Sequence, residues 1–343
     1  MSMHKLSSMI LAGAVVAFAV VAQAAPITIP TVPVGNTGNT GELSGASAPG
    51  GYGSDAICGA VNYLYQIGKY EVTAGQYTAF LNAVAKTDTY GLYDTYMWSS
   101  DYGCKIQQTG SSGSYTYAVA ADRANRPVNY VSWGDAARFC NWLSKGQPTG
   151  AQNLSTTEDG SYYLNGAKSD AALMAVTRKP GATWVIPTEN EWYKAAYHKN
   201  DGNTGNYFDY PTGSNTQPSK AVVNPDPGNN ANYFQNDYSI GSPYWTTPVG
   251  EFENSESPYG TFDQGGNVWE WNETPINSWI GIRGGCATYG SYALLAASRG
   301  STVPTMGYLD RGFRVASLVP EPGSIILLVS GAIAALILWR RRK

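Results

Sequence analysis

Residues 263–270 read DQGGNVWE, with two carboxylates, Asp263 and Glu270, around a Gly-Gly turn. Glycines let the backbone curl so that carbonyls can face inward beside such acids. A hard cation such as Ca2+ takes roughly six to eight oxygens from carboxylates, carbonyls and water, so hard-cation binding is one chemistry open to this block. The competing use is metal-free, with both acids hydrogen-bonded to loop amides. The histidines are two, His4 and His198, which disfavours a multi-histidine metal site and a Ser-His-Asp triad. The thiols are Cys58, Cys104, Cys140 and Cys286. In an oxidising compartment four cysteines allow three disulfide pairings, and the sequence does not choose among them.

The elements that position these residues begin at repeated start signals. Thr73 with Gln76, Ser132 with Asp135 and Thr188 with Glu191 each pair a hydroxyl with a reciprocating side chain three residues on. That spacing predicts a capped helix start in each case. Tyr77, Phe80, Leu81 and Val84 then fall on one helical face, as do Ala136, Phe139, Cys140 and Leu143, and Trp192, Ala195 and Ala196. Residues 61–72 read as a strand rich in Val, Ile and Tyr. Residues 25–57, rich in Pro, Gly, Ser and Thr, read as a low-complexity linker. Residues 200–246 form the longest irregular stretch, which calls for function, disorder or an outside tie such as a metal.

Composition bounds the class. Among 343 residues, 43% are apolar and only 14% charged, with 39 Gly, 25 Tyr and 10 Trp. This mixture suits a loop-rich domain packed on aromatics and excludes a coiled coil, a collagen and a polar disordered chain. Trp133, Trp142, Trp192, Trp269 and Trp271 supply large rigid anchors for a core. Arg283 and Arg314, near glycines, are expected to tie loops through bidentate hydrogen bonds. Phosphate-loop, dinucleotide and zinc-spacing motifs are missing.

Both ends read as addresses. Residues 1–24 combine a basic start, an apolar run and Ala22-Gln23-Ala24, which predicts a secretory signal peptide cut between Ala24 and Ala25 after passage through the Sec machinery. At the other end, Pro320-Glu321-Pro322 precedes an apolar run from Ser324 to Trp339 and the basic cluster Arg340-Arg341-Arg342-Lys343. The run reads as a transmembrane helix with its basic tail in the cytoplasm. This order, over residues 318–343, resembles the PEP-CTERM sorting signal of Gram-negative bacteria. The resemblance implies export, transient anchoring in the inner membrane, cutting by an exosortase, and a final place at the cell surface or outside. Without the two addresses, 17 basic residues face 24 acidic ones. An acidic body of this kind excludes nucleic acid as a natural partner.

Residues 58–317 carry a run of recognisable blocks: YEVTAGQYTAFLNAV, RPVNYVSWGDAARFCNWLS, WVIPTENEWYKAAYH, DYPTGS, FDQGGNVWEWNET, IRGG and RGFRVAS. In this order they resemble the formylglycine-generating enzyme, or sulfatase-modifying factor, family. The resemblance implies an α+β, C-type-lectin-like fold, loop-rich with few short helices and strands. It also implies calcium, with Asp263, Gly266, Val268 and Glu270 as ligands and Asp263 in place of a frequent Asn, which strengthens the site. Asn232 and Tyr233 match the first half of a second family calcium site, with Asp237 as the candidate downstream acid.

The family's catalytic centre is a pair of cysteines spaced five apart that binds copper. Here the segment reads GGCATYGSYALLAASRG, with Cys286 directly after the glycines, Tyr289 near the first catalytic position and Leu294 near the second. A lone thiol cannot form a two-thiolate copper site. A related branch of iron enzymes needs a histidine-bearing helical domain for which this chain has no room. The triplet Trp271-Asn272-Glu273 matches a lectin sugar motif only in part. These readings lead to an exported, calcium-stabilised binding module without catalytic residues, whose ligand is a saccharide, a peptide or a surface protein. The alternative is a sulfatase-modifying oxidase or related oxidoreductase with an altered centre.

Overall fold

The computed structural model describes residues 26–318. The signal sequence with Ala24 and Ala25, the triplet Pro320-Glu321-Pro322 and the apolar run beyond it lie outside the described residues. Among the described residues no helix is long and apolar enough to cross a membrane.

In chain order the elements are β1 Thr31–Val34, β2 Glu42–Ser44, β3 Ala56–Cys58, β4 Tyr65–Gly68, α1 Ala74–Val84, α2 Tyr96–Ser99, β5 Ile106–Thr109 and β6 Thr116–Val119. There follow α3 Trp133–Ser144, α4 Asp170–Met174, β7 Trp184–Val185, α5 Glu189–Tyr197, β8 Phe234–Gln235 and β9 Asp237–Tyr238. The chain continues with β10 Trp269–Ile276, β11 Trp279–Arg283, a 3-10 turn Ser291–Leu294, β12 Gly300–Thr302, β13 Arg311–Gly312 and β14 Ala316–Leu318. Of the two four-stranded sheets, the first has the order β1-β4-β14-β7 and the second β12-β11-β10-β13, while β2-β3, β5-β6 and β8-β9 form two-stranded sheets. Short strands, few helices and long loops make this a mixed α+β architecture.

The three expected helix starts are α1, α3 and α5, and each carries a complete capping box. Such a cap satisfies orphan amides and contributes about 1 kcal/mol. The predicted strand at 61–72 shrinks to β4, because only Tyr65–Gly68 find backbone partners on both sides, in β1 and β14. The apolar faces of α1 and α3 meet in an aromatic cluster. Phe80 lies edge-on to Phe139 at 5.3 Å, and Phe139 lies edge-on to Phe313 at 5.4 Å. That last contact holds the backbone beside Phe313 and so sets the position of Arg314.

The linker reading of residues 25–57 is corrected. Val32 pairs with Ile67 and Val34 with Tyr65 in a regular antiparallel ladder, which makes β1 an edge of the first sheet. The Ser44 hydroxyl donates to Ala296 O at 2.7 Å, and Arg299 donates to Ser54 O at 2.6 Å. Gln147 brackets Ile27 from both sides, accepting from its N–H at 2.7 Å and donating to its carbonyl at 2.8 Å. These ties run through the backbone, so a segment poor in large apolar side chains is still ordered.

The long 200–246 segment holds the β8–β9 hairpin and little other regular structure. Side chains tie it down. Asp226 accepts from Gly228 N, Asn254 N, Ser255 Oγ and Asn230 Nδ2. These bonds hold the Asp226 carboxyl below its ordinary range despite burial, which opposes them.

Candidate functional site

The block 263–270 is a tight loop leading into β10. Asp263, Gly266 and Asn267 all have left-handed φ, of 59°, 94° and 50°. Gly266 is obligatory, since a Cβ there would stand 2.1 Å from Asn232 O. Asn267 is the hub of the loop. Its N–H donates to Asn232 O at 2.9 Å, its Oδ1 accepts from Thr247 N at 3.0 Å, and its Nδ2 donates to Glu71 Oε2 at 3.3 Å.

At the far end of the block, Glu270 faces Arg314, and both side chains are fully buried. Arg314 Nε and Nη2 donate to the two carboxylate oxygens at 2.6 Å each, and Trp192 Nε1 donates to Oε2 at 2.7 Å. The forked bond expected of Arg314 is present. Arg283 is likewise a tie, donating to Glu189, Ala296 O and Ser298 O. Asp263 accepts from Gly250 N at 2.6 Å, and burial raises its carboxyl to about 6.

Glu71 joins these two acids, although the motif reading did not include it. It is buried just before the α1 cap, and its Oε1 has no hydrogen-bond partner. Burial, then the charges of Asp263 and Glu270, hold its pKa well above the ordinary carboxylate range. Glu270 alone pairs with the Arg314 guanidinium, whose charge Asp263 and Glu71 feel without contact in the hydrogen-bond network. Surplus buried acid with an unpartnered oxygen is the electrostatics that a divalent cation relieves. Among the described residues no group of three or more His, Cys, Asp or Glu converges as a metal cluster. A hard cation here would draw on Asp263, on the Gly266 and Val268 carbonyls, and on whatever capacity Glu270 retains. Glu270 already accepts three hydrogen bonds of about four it can take. The oxygens left without a strong partner are at the Asp263 and Glu71 end, where Glu71 Oε1 accepts no hydrogen bond.

The second set keeps one free ligand atom, the buried Asn232 Oδ1, which has no hydrogen-bond partner among the described residues, but not its acid. Asn232 turns its amide to Trp245 O at 3.0 Å and Asn267 Oδ1 at 2.8 Å. The Tyr233 ring is buried and its hydroxyl donates to Pro218 O. Asp237 has a side chain 79% exposed and pairs with Lys220. Its hairpin aims it to solvent, away from Asn232, which corrects its candidacy as the downstream acid.

Cys58, Cys104, Cys140 and Cys286 are all buried and unpaired, so none of the three allowed pairings is formed. Cys286 Sγ lies 3.2 Å from Thr288 Oγ1 and 3.8 Å from Asp310 Oδ2. Burial, with the Asp310 charge, pushes the thiol up to about 12. A thiol so raised is neutral at ordinary pH and a poor nucleophile or metal ligand. Tyr289 is exposed and lies edge-on to Trp269 at 5.6 Å, while Leu294 is buried against Tyr210 and Tyr233. Both positions near the family's catalytic pair thus carry side chains without a thiol. His198 is buried with both ring nitrogens engaged, by Tyr259 Oη at 3.0 Å and Thr204 O at 3.2 Å. Glu273, of the partial sugar triplet, pairs with Arg178 at 2.9 Å and is not presented to a ligand.

The surrounding segment exposes aromatics. Tyr289, Tyr292 and Tyr308 are 39%, 53% and 50% exposed. Their base is rigid: Trp269 N–H donates to Asp310 O at 2.8 Å, and Arg311 pairs with Asp310 while its guanidinium lies over Tyr308. Tyr130 N–H donates to Tyr308 O at 3.0 Å, and the exposed Tyr96 ring stacks on Tyr130 at 5.7 Å.

Comparison with known proteins shows the family to which the chain belongs. Residues 60–319 match the model of the Sulfatase-modifying factor enzyme 1-like domain, and residues 318–343 match the PEP-CTERM protein-sorting motif. The motif implies exosortase-mediated sorting and export through membrane processing. A protein of Paenibacillus barcinonensis, named Chaperone protein LppX, is 32% identical over 178 residues, covering 47% of this chain and 58% of its own. The Inactive C-alpha-formylglycine-generating enzyme 2 of Bos taurus is 25% identical over 213 residues, covering 57% of this chain and 52% of its own. The chain thus spans little more than half the length of these relatives. Among solved structures, Treponema denticola variable protein 1 is 18% identical with a TM-score of 0.47, covering 84% of this chain and 95% of its own. PvdO from Pseudomonas aeruginosa is 18% identical with a TM-score of 0.46, covering 84% of this chain and 94% of its own. The chain belongs to the sulfatase-modifying factor, or formylglycine-generating enzyme, family, with the α+β, loop-rich fold of that family, and it ends in a PEP-CTERM sorting motif.

Proposed function

We propose that the mature protein is an exported, non-catalytic member of this family, stabilised by calcium at Asp263, which binds a saccharide, peptide or surface-protein ligand at the cell surface or in the extracellular matrix. The segment 286–311 carries the reading. Tyr289 and Leu294 stand near the positions of the family's two thiols, Cys286 is buried and neutral, and exposed tyrosines rim the same segment. Tyrosines on a rigid base give contact area at low entropic cost, as a binding surface requires. A relative named as an inactive enzyme is in keeping with this. At the calcium site, Asp263, the Gly266 and Val268 carbonyls and Glu270 would hold the ion, with Glu71 alongside. The ion would neutralise surplus acid and brace the loop ahead of β10, and it would supply no reaction step.

The test is co-sedimentation of the full chain, in detergent, with extracellular polysaccharide and with outer-surface protein from a bacterium carrying exosortase. Retention by one of these, reduced about tenfold or more in a Tyr289→Ala, Tyr292→Ala, Tyr308→Ala variant, is expected from the loss of several aromatic contacts. Equal retention of variant and parent would overturn this assignment of the binding face.

A further inference from the structure

The loop that follows the β8–β9 hairpin is held by charge of an unusual source. Arg123 and Arg126 both lie over the ring of Tyr244, with guanidinium carbons 4.6 and 4.2 Å from its centroid. Arg123 also donates to Pro243 O at 2.5 Å, and Arg126 donates to Thr246 O. Both arginines are buried. On the other side of the loop, Trp245 stacks on Tyr102 at 4.4 Å, and its carbonyl accepts from Asn232 Nδ2 at 3.0 Å. Two cations thus coordinate two carbonyls and one ring within four residues of chain. They crowd one another, and the charges of Asp122 and Glu251 nearby offset the repulsion. Asn232 of the second calcium set reaches this loop by donating its Nδ2 to Trp245 O, while its buried Oδ1 has no hydrogen-bond partner among the described residues; the two guanidinium charges gathered on the loop oppose a further cation there.

We infer that a buried arginine pair, Arg123 and Arg126, braces the 243–246 loop in place of a second metal ion, so that the chain takes up one calcium ion and not two. Charge-assisted donation to carbonyls and guanidinium–ring contact are each substantial when desolvated. Together they do for this loop what a hard cation does by gathering carbonyl oxygens. The count of one rests on the calcium reading at Asp263, whereas the clamp does not.

The experiment uses the full chain in detergent, equilibrated with calcium and then with chelator. Bound calcium is counted by atomic emission, and cleavage within 236–247 is followed by limited proteolysis with mass spectrometry. One ion per chain is expected, with loop cleavage equally slow with and without chelator. Arg126→Ala should speed that cleavage about tenfold in either condition, because removing the clamp raises local opening. Arg126→Lys, which keeps the charge and loses the planar fork, should fall between and guards against a variant that fails to fold. Asp237→Asn should change nothing. Two ions per chain, loss of one ion in Asp237→Asn, or calcium-dependent protection of the loop would overturn the inference. No bound ion would overturn the calcium reading alone, and chelator-independent protection lost in Arg126→Ala would still support the clamp.

Discussion

Arg314 and Glu270 form a forked ion pair with both side chains fully buried, joining the segment after β13 to the middle of the second sheet. Arg314 also donates to Gly68 O and Phe262 O, so one guanidinium links β4, the Asp263 loop and β10. Removing one partner of such a pair leaves a buried charge uncompensated, at a cost of about 3–5 kcal/mol. Arg314→Met and Glu270→Gln are each expected to lower the urea midpoint accordingly. The double variant should lose less than the two losses added, because neither charge is then stranded. Additive losses would mean that the residues act independently.

Calcium should raise the melting temperature of the full chain, and chelator should lower it, because an ion bound only to the folded state stabilises it by mass action. In Asp263→Ala the difference between calcium and chelator should vanish. Glu71→Gln should raise the chelator-state melting temperature, since it removes surplus buried acid and keeps an acceptor oxygen. Calcium-independent melting of the parent would remove the site.

Lys194 is fully buried in α5, donating to Asn36 O at 2.9 Å and Val61 O at 3.3 Å. Burial lowers it from 10.5 to about 8. The unfolded chain therefore holds the proton more tightly than the folded one between these values. Lys194 by itself makes stability rise with pH across that window and contributes least below pH 8, whereas Cys286, raised from 9.0 to about 12 by burial, works the other way once unfolded thiols ionise. Lys194→Met should make the slope of stability against pH between about 8 and 10 less positive than the parent's, read as the difference between the two. An unchanged slope would mean that the ammonium keeps its charge in the fold.

Local chemistry made the helix starts legible, because a hydroxyl and its reciprocating side chain lie three residues apart in the chain. The Asp263–Glu270 block was legible for the same reason. Glu71 was not, since it reaches Asn267 from 196 positions away and nothing local marks it beyond an acid ahead of a cap. The β1 arm was missed because its stability comes from backbone pairing with β4, which Gly-, Pro- and Ser-rich composition hides. Asp237 misled because spacing cannot say that a two-residue hairpin turns its carboxyl to solvent.

The central claim is that Tyr289 and Leu294 have displaced the family's redox centre and that Cys286 does not replace it. The most direct measurement is mass spectrometry of a peptide bearing a sulfatase cysteine motif, incubated with the full chain, copper and oxygen. The account predicts an unchanged cysteine, matching a control without protein. A cysteine-to-formylglycine mass change above that control would contradict it.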